Sequence, residues 1–127
     1  MADTTTPART RDLARLKAAT SVLLGLIVVQ AVFAIITLIH ANDTITAIHG
    51  GFGYLSLITG VIAAWFAWRW SKDSGAGGVF FHALSLPILA VIQIGLAQGG
   101  LKWVHVVVGV VYLLAVVGLW TMLRRRS

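Results

Sequence analysis

Residues 18–44 read AATSVLLGLIVVQAVFAIITLI followed by HANDT. The first part is an uncharged apolar run, and about 20 such residues cross the ~30 Å hydrocarbon layer of a bilayer as a helix. The second part is a short polar break, in which Asn42, Asp43 and Thr44 are candidate N-caps for a following helix. The same alternation of run and break continues outward. Apolar stretches cover Ala18–Ile39, Ile45–Trp68, Val79–Ala97 and Leu101–Leu123, separated by the residue 40–44 turn, a polar, glycine-rich segment at 69–78 and Gln98-Gly99-Gly100. Links this short force neighbouring helices to run antiparallel. The expected fold is all-α: one integral-membrane domain over residues 1–127, an up-down-up-down four-helix bundle with a disordered tail to about residue 10. A signal peptide is the competing reading of the N-terminal run, but the run exceeds a usual h-region and reads as an anchor.

Composition narrows the chemistry. The chain of 127 residues is 58% hydrophobic and 11% charged, with ten Lys and Arg, four acids and no cysteine. The absence of cysteine removes thiolate chemistry, disulfides and iron–sulfur ligation. Asp3, Asp12, Asp43 and Asp73 are the only acids, and all four are expected in tails or loops. That leaves no carboxylate within the spans, which disfavours carboxylate catalysis, carboxylate-rich metal sites and drug exporters that depend on a membrane-embedded glutamate. The net charge of +6 does not mark a nucleic-acid binder, because the basic residues stand at the ends of apolar runs and form no stripe. Arg9, Arg11, Arg15, Lys17, Arg69, Lys72 and Arg124 to Arg126 fall at one end of the bundle, and Lys102 alone at the other. The positive-inside rule then makes both termini cytoplasmic in a bacterial inner membrane. The arginines at 124–126 are expected to meet anionic headgroups. Trp65, Trp68, Trp70, Trp103 and Trp120 are expected as interfacial anchors.

The spans repeat in pairs. His49-Gly50-Gly51-Phe52-Gly53 aligns with His105-Val106-Val107-Val108-Gly109, Leu57 with Leu113, and Val29-Gln30 resembles Ile92-Gln93. Two spans per repeat give two tandem hairpins in the same orientation, related by an axis along the membrane normal. His49 and His105 each lie about five residues, or ~7 Å, inside their helices from the same face, so they meet at one depth. Gly53, Ser56, Gly60, Ala63 and Ala67 share the face of His49, and Gly109, Tyr112 and Val116 that of His105. A small-residue stripe serves either close helix packing or room for a flat group.

Two facing imidazoles suit a haem iron, which takes axial ligands from facing helices. His49 and His105 are the candidate ligands of a haem b, with Gly53 and Gly109 giving clearance and Gln30, Gln93 and Tyr112 lining the cofactor. Gln30 and Gln93 also suit interhelical hydrogen bonds. Zinc fits poorly, since it wants about four ligands and two histidines are well placed. His82 is expected in interfacial solvent, His40 in a loop, and Pro87 at a kink with Ser85 compensating freed carbonyls.

His49-Gly50-Gly51-Phe52-Gly53-Tyr54-Leu55 and Trp103-Val104-His105-Val106-Val107-Val108-Gly109 resemble the haem-ligand helices of four-helix membrane b-type cytochromes, nearest to one four-helix half of the heme A synthase family. Gln30, His49-Gly50, Gln93 and His105 also match the pattern of a family of small four-span bacterial proteins. The resemblance covers most of residues 20–120 and implies a bis-histidine haem near the outer face. It does not carry the synthase reaction, because the first outer loop has neither a cysteine pair nor a glutamate. The function expected is electron transfer or haem handling rather than catalysis, with a redox partner protein. The alternative is a non-catalytic accessory or oligomerising subunit, and a homo-oligomer stays open under either reading.

Overall fold

The computed structural model describes residues 6–127. Four helices follow one another: α1 (Pro7–Ile39), α2 (Asp43–Ser74), α3 (Gly77–Gln98) and α4 (Lys102–Arg124). All four are long and apolar enough to cross a membrane, so the architecture is that of a multi-pass membrane bundle. Each helix packs on its two neighbours in a closed ring, with α4 packed less extensively than α1 on α2, and α2 stands diagonally across from α4. The start of α1, the end of α4 and the α2–α3 turn lie at one end of the bundle, here the terminal end. The α1–α2 and α3–α4 turns lie at the other, the hairpin end.

Local sequence sets the boundaries. Thr6 caps α1 by accepting from the Arg9 N–H at 3.3 Å, and Pro7 follows with its ring preset to a helical φ. Asn42 is the cap of α2, accepting from the Ile45 N–H at 2.8 Å. α2 stops at Gly75, whose φ of 70° is left-handed and suits a residue without a Cβ.

Three expectations change here. Helix α1 begins at Pro7, so residues 7–10 are ordered helix and not tail; residues 1–5 lie outside the described part. Helix α2 runs on through Arg69–Ser74, because helical backbone continues past the last apolar residue until Gly75 breaks it. At ~1.5 Å per residue, α1 and α2 are then about 50 Å long, well beyond the hydrocarbon layer. Asp12 is in α1, not in a loop. It is 3% exposed and accepts from Arg69 Nε at 3.1 Å, with Arg15 Nη1 at 3.9 Å. The pair ties the overrunning ends of α1 and α2 together. Asp43 and Asp73 also fall in the first and last turns of α2.

The core is confined to the terminal half. Leu16, Leu23, Val79, Leu86, Val116, Leu119 and Leu123 are at most 1% exposed. Ala63 and Ala67 are buried against them. Trp70 belongs here too: expected at the interface, it is 3% exposed, with the Arg126 guanidinium 5.5 Å from its ring. The other tryptophans keep to the helix ends, and cations stand 4.4 Å, 5.4 Å and 4.5 Å from the rings of Trp68, Trp103 and Trp120. Pro87 sits within α3 and is buried, and a Cβ on Gly60 would lie 3.4 Å from its nitrogen. The lower part of the small-residue stripe is therefore used for close α2–α3 contact. Ser85 donates to the carbonyl of His82 at 2.6 Å rather than to that of Ala83, the one Pro87 frees.

His82 is half-buried rather than solvated. Its Nε2–H donates to the Ala115 carbonyl of α4 at 2.7 Å, and a Cβ on Gly118 would stand 3.3 Å from its ring. The absence of a side chain at 118 is what lets the imidazole reach that backbone. His40, as expected, is exposed in the first turn, where it caps α1.

Candidate functional site

The hairpin half is built differently. Among the described residues, none on α1 beyond Ile27, on α2 before Ser56, on α3 beyond Ala90 or on α4 before Tyr112 is buried. In place of a core lies a cavity of about 370 Å³, within the range of small-molecule sites. All four helices line it, and its polar members are Gln30, His49, Tyr54, Ser56, Gln93, Gln98, His105 and Tyr112.

His49 and His105 meet across the diagonal of the bundle. Their ring centroids are 6.0 Å apart and the ring planes are inclined at 81°. His105 is held by its own hairpin, with Nδ1 3.0 Å from the Gln93 backbone carbonyl. A carbonyl accepts, so Nδ1 carries the proton and Nε2 keeps its lone pair. His49 faces the Gln30 backbone in the equivalent place, and its Nδ1 is buried without a hydrogen bond.

The glutamines repeat the same relation. A Cβ on Gly53 would lie 3.3 Å from the Gln30 amide nitrogen, and one on Gly109 2.6 Å from that of Gln93. In each hairpin the glutamine of the first helix lays its amide on the glycine of the second, one turn below the histidine. The space beside each glycine therefore receives an amide. Gln30 Oε1 and Gln93 Oε1 are left buried without partners, as is the Tyr112 hydroxyl. Leaving such groups unpaired costs about 1–3 kcal/mol each, and all four orphaned atoms border one cavity.

Sequence comparison of the hairpins contains the signal for this pairing. Gln30 to His49 spans 19 residues and Gln93 to His105 spans 12, a difference of seven, or about two helical turns. Gln30 lies nine residues before the end of α1 and Gln93 five before that of α3; His49 and His105 lie six and three past the starts of α2 and α4. The first hairpin thus reaches about one turn further, and the Gln–His register is preserved. Sequence reasoning did not find the rim contact, in which Gln98 Nε2 donates to the Tyr54 hydroxyl at 3.1 Å. Ser56, which the sequence places on the face of His49, is 1% exposed and donates to the Phe52 carbonyl at 2.8 Å.

No group of three or more His, Asp or Glu gathers at the cavity or elsewhere among the described residues. A metal ion bound by side chains alone finds two imidazoles here. A porphyrin brings its own four nitrogens, and two imidazoles complete its iron.

The fold and site define a four-span membrane bundle with a paired-histidine cavity in one half. No protein-family model matches the chain, and neither a curated protein nor a solved structure matches it.

Proposed function

We propose that His49 and His105 are the axial ligands of one b-type haem, and that the protein transfers electrons or handles haem from the hairpin end of the bundle. The observation that carries this reading is the placement of the two rings. The two imidazoles come from diagonally opposite helices and line one cavity, where a single planar group could meet both. The rings stand 6.0 Å apart. The Gln93 carbonyl supports it further, since a ligating histidine usually donates its other N–H to such a partner.

A haem held by His49 and His105 would supply a one-electron iron couple suited to electron transfer or storage rather than oxygen activation. The chain's own residues do the rest. Gln93 fixes the tautomer of His105, and Ile27, Ala31, Ala34 and Ala90 keep part of the wall apolar. Gln30, Gln93 and Tyr112 offer unspent hydrogen-bonding atoms to polar groups of the ligand or to ordered water.

The charge count supports a bacterial inner-membrane protein with cytoplasmic termini and the site toward the outer face, where a redox partner docks. Reporter fusions after Ser127 and within residues 72–78 should read as cytoplasmic, and one after Gly100 as external. An external C-terminus overturns this orientation.

The second reading is an accessory or oligomerising subunit without a cofactor. It is favoured by the glutamine–glycine contacts and the His105–Gln93 bond, which already join the helices of each hairpin. The absorption spectrum of protein purified after expression with haem supplied decides between them. A sharp Soret band with split reduced α and β bands supports haem, and a spectrum with protein absorption only supports the accessory subunit.

A further inference from the structure

A second cleft opens at the terminal end, between α1 and α4. It measures about 500 Å³ and is lined by Lys17, Ser21, Trp120, Leu123 and Arg124. Leu123 forms a buried floor at 1% exposed. The Arg124 guanidinium stands 4.5 Å over the Trp120 ring, and Lys17 Nζ donates to the backbone carbonyl of Arg126. Neither cation has a carboxylate partner: among the described residues every ion pair uses Asp12, which is taken by Arg15 and Arg69.

The position of the cleft matters as much as its charge. Lys17 immediately precedes the apolar run of α1 and Ser21 is one turn inside it, so the cleft sits where headgroups meet hydrocarbon. Below it the α1–α4 seam turns wholly apolar, with Val28 on the face of Lys17 and Ser21, and Val117 on the face of Trp120 and Arg124. Two cations, a hydroxyl and an indole over an apolar seam match a phosphodiester with acyl chains attached. Basic pockets between spanning helices take such headgroups.

We propose that this cleft binds the phosphodiester headgroup of an anionic phospholipid, whose acyl chains lie along the α1–α4 seam. Lys17 and Arg124 hold the phosphate oxygens, the Ser21 hydroxyl donates to one of them, and Trp120 packs at the glycerol level. The site is independent of the histidine pair and survives the loss of any haem.

The test titrates dioleoylphosphatidylglycerol into the detergent-purified full chain, followed by tryptophan emission and by lipid retained in native mass spectrometry. Binding should saturate, and dioleoylphosphatidylcholine should not reproduce it. Lys17→Gln and Arg124→Gln should each weaken it about fivefold, and the double variant about thirtyfold, from the contribution of each basic residue at an anionic lipid. Arg125→Gln, outside the cleft, should change it by less than about twofold. Inorganic phosphate should neither bind nor compete. The proposal fails if phosphatidylcholine binds as tightly, if Arg125→Gln weakens binding as much as Arg124→Gln, or if inorganic phosphate displaces the lipid. Arg124 is exposed, so should Lys17→Gln fail to fold, Arg124→Gln against Arg125→Gln decides the matter alone.

Discussion

The two halves of the bundle use the same four helices for opposite ends. In the terminal half, leucine, valine and alanine close the interior, Gly60 admits Pro87, His82 reaches the α4 backbone and Asp12 neutralises Arg69. Most polar groups there have a partner. In the hairpin half no described residue is buried, the interior is a cavity, and four buried polar atoms at its border lack hydrogen bonds. Within a membrane, helix association relies on close packing and interhelical hydrogen bonds, since lipid is as apolar as the core. The closed packing therefore lies in the terminal half, and the hairpin half surrounds the cavity.

Substitutions should separate the halves. The largest effect is expected at the histidines: His49→Ala or His105→Ala should abolish the low-spin haem spectrum while leaving helix content by circular dichroism unchanged. Retained haem at wild-type level in either variant would break the division. Next come Leu16→Ala and Leu119→Ala in the terminal half. Each should cost about 2–4 kcal/mol in unfolding from detergent, because the closed interior collapses poorly around a void, yet both should load haem. A smaller effect is expected from Gly109→Leu. The new side chain meets the mobile end of Gln93, so the amide is pushed into the cavity and haem occupancy should drop without loss of folding. The smallest is His82→Ala, which removes one hydrogen bond and should lower stability by about 1 kcal/mol with no spectral change. A spectral change there would mean that the halves are coupled.

How much of this is legible in the sequence differs between the same regions. The span count, the turns, the Asn42 cap and the meeting of His49 with His105 follow from run length, polar breaks and helical periodicity. The terminal half is where sequence reading falls short. Hydropathy marks where apolar residues stop, not where hydrogen-bonded backbone stops, so Pro7–Thr10 and Arg69–Ser74 are missed as helix. Asp12 and Trp70 look like surface residues until those overruns pack together, which no single-span pattern encodes. His82 reads as interfacial because its partner is a backbone carbonyl, which leaves no mark in sequence. The glutamine–glycine contacts are legible in retrospect, through the seven-residue difference in loop register between the hairpins.

The claim that one haem bridges His49 and His105 is tested most directly by low-temperature electron paramagnetic resonance of the ferric protein. A ferric haem held by two imidazoles would be low-spin, so the wild-type protein should give a low-spin signal. That signal should vanish in both single alanine variants and persist in His40→Ala and His82→Ala. A wild-type protein with no haem signal after expression with haem supplied, or a low-spin signal that survives replacement of both histidines, would contradict the account.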